Sequence, residues 1–96
     1  MILHTVKQSP FTDLTLSQAL ASMGPDDLLL LLENGVLGSA TQHAYLAQLS
    51  ELAEQGRLYL VSADLNARGV TAQFGKEIDY KGFVELVTRA QSSLAW

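Results

Sequence analysis

The sequence predicts an α/β domain with a mostly parallel sheet of about four to five strands. The first observation is a run of five leucines, Leu28–Leu32, between Asp26-Asp27 and the turn-prone Glu33-Asn34-Gly35. The run is too short to cross a bilayer and too uniformly apolar for a strand with one wet face, so it indicates a strand buried on both faces. The second observation is that three apolar strand-like segments alternate with two helix-like segments between residues 2 and 61. This alternation is typical of parallel strands joined by right-handed helical crossovers.

The segment before the leucines contains one further predicted strand and one helix. Ile2–Val6 is apolar and β-branched, which favours a strand, and Pro10 stops it. Thr15–Gln18 has the hydroxyl-to-Gln spacing of a capping box and therefore predicts a helix start. The apolar residues that follow recur at helical spacing, and Gly24-Pro25 ends the helix. They are Leu16, Ala19, Leu20 and Met23.

The segment after the leucines predicts a loop, a second helix and a third strand. Gly35–Gly38 is predicted as loop, and Ser39–Gln42 repeats the capping pattern at the start of the second helix. Its buried face is formed mainly by Tyr45, Leu49 and Leu52. Gly56 stands where a left-handed C-terminal cap is expected, and Leu58–Val61 is the third strand.

The last third of the chain is less regular. We expect one or two helical turns in Ala63–Arg68, loop in Thr71–Lys76, and a very short strand or extended link at Ile78. Asp79 can cap a final helix whose apolar face carries Phe83, Leu86, Val87 and Ala90. Leu94–Trp96 is predicted either to dock as a short edge strand or to contact another chain. None of these patterns determines the strand order.

Composition limits the possible classes of function. With 96 residues the chain is one domain, residues 1–96, and 48% hydrophobic against 17% charged residues suggests burial against other subunits, with a compact monomer as the alternative. A net charge of −4 with six scattered basic residues does not favour direct nucleic-acid binding. The chain has no cysteine, so it can carry neither a disulfide nor a persulfide. No leader or membrane segment is evident, and we expect a cytoplasmic protein.

No catalytic, cofactor or metal site is predicted. Gly35–Gly38 lacks the glycines and the Lys-Ser/Thr ending of a phosphate-binding loop, although it follows a central strand at the edge where α/β sheets present ligands and contacts. His4 is predicted as a buried or partly buried strand residue, and His43 as a solvated residue in the first turn of the second helix. The alternative from another class is a small-molecule-binding protein or enzyme that uses this loop with either histidine as an acid–base group.

Short motifs in a fixed order add information that periodicity does not. They are Leu3–Val6, Ser9–Phe11, Asp27–Leu30, Glu33–Val36, Asp64-Leu65, Ala67–Gly69, Asp79-Tyr80, Phe83-Val84 and the terminal Ala95-Trp96. Together they resemble the TusB/DsrH family of sulfur-relay proteins over the whole length of the chain.

The resemblance implies a small flavodoxin-like (DsrE/DsrF/DsrH-like) three-layer domain. It also implies a heterohexamer with TusC-like and TusD-like subunits, two copies of each. In that relay sulfur passes from a cysteine desulfurase through TusA, as persulfide on TusD, to TusE and the thiouridylase that makes 2-thiouridine at the tRNA wobble position. Some members of the DsrH branch have a cysteine in the first helix, at a position that corresponds here to Ala19.

The leading hypothesis is therefore a non-catalytic structural subunit, not an enzyme, in a sulfur-relay complex. A scaffold role in dissimilatory sulfur oxidation is the alternative within the family, and the missing cysteine argues against it. Candidate subunit-interface residues are Phe11, Glu33, Asn34, Gly35, Val36, Tyr45, Tyr80 and Trp96. The aromatic ones are chosen because aromatic side chains are favoured interface anchors, and each has a competing assignment to the core.

Overall fold

A five-stranded, entirely parallel sheet forms the centre of the computed structural model, which describes all 96 residues. The strands are β1 (Ile2–Val6), β2 (Leu28–Leu31), β3 (Leu58–Val61), β4 (Lys76–Ile78) and β5 (Ser92–Ala95). Their order in the sheet is β4-β3-β2-β1-β5. The leucine strand β2 thus lies in the middle, and its four residues are all buried. The predicted α/β class with a parallel sheet of four to five strands is confirmed.

Helices cover both faces of this sheet. They are α1 (Thr15–Ser22), α2 (Leu46–Glu54), α3 (Ser62–Ala67) and α4 (Tyr80–Arg89), together with a 3-10 helix, Glu33–Ser39. No helix combines the length and apolar character needed to cross a membrane.

Alternate residues of the leucine strand serve two separate cores. Leu29 and Leu31 join the larger core, to which α1, α2 and α3 contribute Leu16, Leu49 and Leu65. Leu28 and Leu30 point the other way, into a smaller core that α4 closes with Leu86. A strand with apolar partners on both sides needs no polar face, which explains the uninterrupted leucines.

Both predicted capping boxes are wrong. Thr15 is the first residue of α1 and not its cap, since its backbone N–H and hydroxyl both donate to the Asp13 carboxylate. Ser39 does not start α2, which begins at Leu46. The Ser39 side chain is instead fully buried, and its hydroxyl donates to the carbonyl of Phe74 at 3.0 Å.

Three smaller corrections concern the loop after β2, the final helix and the start of β4. Gly35–Gly38 is not loop, because residues 33–39 coil into the 3-10 helix that carries the chain towards α2. Val87 is 43% exposed and lies outside the core, which Leu86 enters. Lys76 already belongs to β4, so the predicted loop ends one residue earlier.

Three further local predictions are confirmed. Gly56 follows α2 in the left-handed region with φ 72. Asp79 caps α4, because its side chain accepts a hydrogen bond from the Gly82 N–H at 2.8 Å. The C-terminal segment docks as an edge strand on β1, and the Trp96 N–H donates to the Thr5 carbonyl at 2.9 Å.

Candidate functional site

The carboxyl edge of the sheet collects nearly all of the predicted contact residues. Phe11 follows β1, Glu33–Val36 follow β2, Tyr80 follows β4 and Trp96 follows β5. Because the strands are parallel, these positions lie at one edge, where α/β sheets present ligands and contacts. Tyr45 precedes α2, and its backbone N–H donates to the ring of His43, which contacts Phe11.

The turn out of β2 has a strained backbone that another element holds. Glu33 has φ 50, the one non-glycine residue with positive φ, a conformation that costs about 1–2 kcal/mol for an L-residue. Its backbone N–H donates to Oδ2 of Asp64 on α3 at 2.8 Å, while the Leu32 N–H donates to the Val6 carbonyl at 3.1 Å. The Glu33 carboxylate is left exposed. Observed strain of this kind favours a functional role for the turn.

Arg68, which directly follows α3, holds the next side chain of the turn together with Asp64 on that helix. Arg68 Nε donates to Oδ1 of Asn34 at 2.9 Å, and Arg68 Nη1 donates to the Asp64 carbonyl at 3.1 Å. The same Nη1 lies 3.8 Å from Asp64 Oδ1. Asp64 and Arg68 were not among the predicted contact residues, although their i,i+4 spacing directly after β3 was visible in the sequence.

Gly35 is required by close packing against β1. A Cβ atom at this position would lie 2.2 Å from the Val6 carbonyl oxygen, which no side chain tolerates. Gly35 and Val36 are both buried, so they shape the edge from inside while Glu33 and Asn34 remain exposed.

An aromatic group contacts the far end of the 3-10 helix at Gly38. The Phe11 ring is 56% exposed and meets the His43 ring edge-on, with centroids 6.1 Å apart. The Tyr45 backbone N–H donates to His43 Nδ1 at 3.1 Å, so Nε2 carries the proton and donates to the Gly38 carbonyl at 2.7 Å. His43 precedes α2 and is half-buried, which corrects its predicted place as a solvated residue in the first helical turn.

Trp96 lies at the same edge and is tied to a buried polar pair. Its indole Nε1–H donates to His4 Nδ1 at 3.1 Å. Since an indole N–H can only donate, His4 carries its proton on Nε2 and donates it to Asp27 Oδ2 at 3.0 Å. His4 is 1% exposed, which confirms the prediction of a buried strand histidine.

Asp27 is the charged end of this network, at the amino edge of the sheet. The Gly24 N–H donates to Oδ2 at 2.8 Å and the Ile2 N–H donates to Oδ1 at 2.9 Å. The Gly24 hydrogen bond, with further help from His4 and Ile2, outweighs burial and lowers the pKa of Asp27 from 3.8 to about 2. Asp27 is therefore ionised at neutral pH and serves to hold the N-terminus of β1 and the turn before β2.

The geometry does not favour the alternative of an enzyme built on Gly35–Gly38. Both ring nitrogens of His4 and of His43 are engaged in hydrogen bonds within the chain. No cluster of three metal-ligating side chains is present.

The cavity of about 260 Å³ lies at the opposite edge of the sheet from this turn, between the ends of α1 and α2. Arg57 at its side donates to the carbonyls of Asp27 and Gly24 and to the Gln55 side chain. Its guanidinium is therefore occupied by structural bonds.

The chain is similar to proteins of known families over nearly its whole length. The family described as "DsrH like protein" matches residues 8–93. The chain is 38% identical over 99 residues to "Protein TusB" of Escherichia fergusonii, with 99% of this chain and 100% of that protein covered. It is 37% identical, with the same coverage, to "Protein TusB" of Escherichia coli O139:H28 and of Shigella boydii serotype 18.

The fold is also similar to a solved structure. The crystal structure of the ychN protein from E. coli superimposes with a TM-score of 0.75, covering 99% of this chain and 97% of that one at 16% identity. At this identity the likeness concerns the fold alone, and it supports the predicted flavodoxin-like, DsrE/DsrF/DsrH-like architecture.

Proposed function

The chain belongs to the DsrH-like protein family, as its motifs predicted, and from this membership we propose that it is a non-catalytic structural subunit of a cytoplasmic sulfur-relay complex. The complex contains TusC-like and TusD-like subunits, two copies of each subunit, and exchanges sulfur indirectly with TusA and TusE. The relay supplies the sulfur atom of 2-thiouridine at the tRNA wobble position.

The observation that carries the non-catalytic part of this proposal is the absence of cysteine from the 96 residues. A persulfide relay needs a thiolate at each covalent stage, and no other side chain of a protein replaces it. The first-helix position at which some relatives have cysteine is Ala19 here, and its side chain is completely buried in the larger core. The contribution of this chain to the relay is therefore non-covalent.

The carboxyl edge is the surface that we assign to the cysteine-bearing partners. Asp64 holds the backbone of Glu33 and Arg68 holds the side chain of Asn34, so less conformational entropy is lost in this turn when a partner binds it. Phe11 adds an exposed aromatic ring at the same edge of the sheet. A rigid polar turn and an exposed aromatic anchor are features that specific protein interfaces use.

Tyr45, Tyr80 and Trp96 complete the proposed interface. Tyr80 is 56% exposed at the start of α4, whereas Tyr45 and Trp96 are half-buried. Gly35 and Val36 act through the shape they give to the turn, since neither is exposed.

Co-expression with TusC-like and TusD-like chains tests the proposal. We expect a tagged copy of this chain to purify in one complex with both, and we expect deletion of its gene to lower 2-thiouridine in tRNA. Arg68→Ala releases Asn34 and should weaken the complex, whereas Arg89→Ala, on the exposed last turn of α4, should not. A chain that stays monomeric beside both partners, with thiolation unchanged on deletion, contradicts the proposal.

A further inference from the structure

The two edges of the sheet differ in how they are protected against pairing with another strand. β4 has only three residues, and two of them are the charged Lys76 and Glu77. β5 consists of the uncharged Ser92, Ser93, Leu94 and Ala95 and contains no proline. Proteins normally block an exposed edge with charges, proline or a bulge, because its free N–H and C=O groups otherwise bind a further strand. The edge at β5 has none of these devices.

The β5 edge is also ordered and accessible. It pairs with β1 over four residues, from Ile2 opposite Ser92 to Thr5 opposite Ala95. The Trp96 indole bonded to buried His4 anchors its end. All four strand residues are exposed, so no helix covers either face of β5. An edge that is fixed and uncovered is a template for a strand from another chain.

Alternation along the strand determines which residues face outward. The Trp96 N–H donates to the Thr5 carbonyl, so the residues in phase with Trp96 direct their backbone groups to β1. Ser93 and Ala95 are out of phase and direct their N–H and C=O groups away from the sheet. The side chain of Leu94, the one large apolar residue of the strand, is 46% exposed between them.

These features form a self-complementary arrangement. If two β5 strands meet antiparallel about a two-fold axis at Leu94, Ser93 lies opposite Ala95 of the other copy and exchanges both backbone hydrogen bonds with it. The two-fold axis places Ala95 opposite Ser93 of the other copy, and this second pair exchanges the same two hydrogen bonds. The two Leu94 side chains then cover each other, and no like charges oppose one another.

We propose that the outer edge of β5 pairs with β5 of a second copy of this chain, antiparallel and with Leu94 opposite Leu94 of that copy. The contact joins two five-stranded sheets into one continuous sheet. It is much smaller than a standard stable interface, so the isolated chain dimerises weakly and in a concentration-dependent way. This inference does not depend on the proposed function.

A unique thiol tests the register, because the chain has no cysteine of its own. Opposed Leu94 residues in a non-hydrogen-bonded pair have Cα atoms about 4.5 Å apart, within reach of a disulfide. We expect Leu94→Cys to form a disulfide dimer under mild oxidation, with the mass doubled from 10.4 kDa.

Ser92→Cys is the matched control on the same exposed strand. In the proposed register it lies opposite Trp96 of the second copy, about 13 Å along the strand from its own counterpart, and should form no disulfide. Equal cross-linking of the two variants, or none in either, contradicts the register.

Amide hydrogen exchange of the unmodified protein gives a second, independent readout. With rising protein concentration we expect slower exchange at Ser93 and Ala95, while Leu94, whose N–H already bonds to β1, remains unchanged. Exchange that does not depend on concentration overturns self-pairing. Protection that arises only after a TusC-like or TusD-like chain is added also overturns it, and leaves the proposed function intact.

Discussion

The indole nitrogen of Trp96 lies 3.1 Å from Nδ1 of His4, which joins the last residue of the chain to the middle of its first strand. The two rings are nearly parallel, with an interplanar angle of 21°. Through His4 the contact continues to Asp27, so one connected polar network runs from the carboxyl end of β5 to the turn before β2. The C-terminal strand is thereby part of the folded domain rather than a free tail.

Trp96→Phe should destabilise the protein by about 1–3 kcal/mol, because it leaves the buried Nδ1 of His4 without a donor while it retains an aromatic ring. Urea denaturation followed by circular dichroism measures the free energy of unfolding. Tyr80→Phe is the control, since this side chain is 56% exposed and its loss should stay within about 0.5 kcal/mol. Equal losses in the two variants would show that the indole hydrogen bond contributes nothing.

The stability of the protein should fall in acid through Asp27. Its pKa is about 2 in the folded state against an ordinary value of 3.8, so the unfolded chain takes up the proton at higher pH. This stabilisation is fully present above the ordinary value and is lost as the pH falls from about 4 towards 2. The shift corresponds to about 2 kcal/mol. Denaturation measurements across this pH range should show a falling free energy of unfolding in the unmodified protein. Asp27→Asn has no carboxylate at this position, so the part of the fall that is due to Asp27 should be absent.

Gly35→Ala should destabilise the protein by about 1–3 kcal/mol, because its Cβ would collide with the Val6 carbonyl at 2.2 Å and push the 3-10 helix away from β1. Gly69→Ala is the control. Gly69 has φ 63 and open space around it, so the substitution should cost only about 1 kcal/mol for the left-handed backbone. Thermal unfolding of both variants gives the comparison, and a smaller loss at position 35 than at position 69 contradicts the packing argument.

Glu33→Gly should separate stability from function. The substitution relieves a positive φ and should stabilise the protein by up to about 1 kcal/mol, yet it removes an exposed carboxylate from the proposed interface. We expect a higher denaturation midpoint together with weaker binding to the TusC-like and TusD-like chains. Asn34→Gly loses the Arg68 hydrogen bond without relieving strain and should lower both quantities. Unchanged binding by Glu33→Gly would remove Glu33 from the interface.

The sequence predicted those features that depend on local pattern. Leu28–Leu32 required a strand with apolar partners on both sides, which implied a parallel sheet between helices. Asp79 and Gly56 were assigned correctly because a cap and a left-handed glycine depend on a few neighbouring residues. The family was recognisable because its short motifs keep their order along the chain.

The tertiary structure alone determined those features that depend on a hydrogen bond between residues far apart in the sequence. Ser39 could cap a helix by its local pattern, but the fold brings the Phe74 carbonyl within 3.0 Å of its hydroxyl, and α2 begins seven residues later. The strained turn at Glu33 depends in the same way on Asp64, which lies 31 positions away in sequence.

The link from Trp96 to His4 spans 92 positions, and no pattern within a window of helical or strand length could predict it. Local propensities determine which segments become strands and helices. Hydrogen bonds between distant residues form only once the order β4-β3-β2-β1-β5 places β5 beside β1, and these bonds determine the conformation of the carboxyl edge.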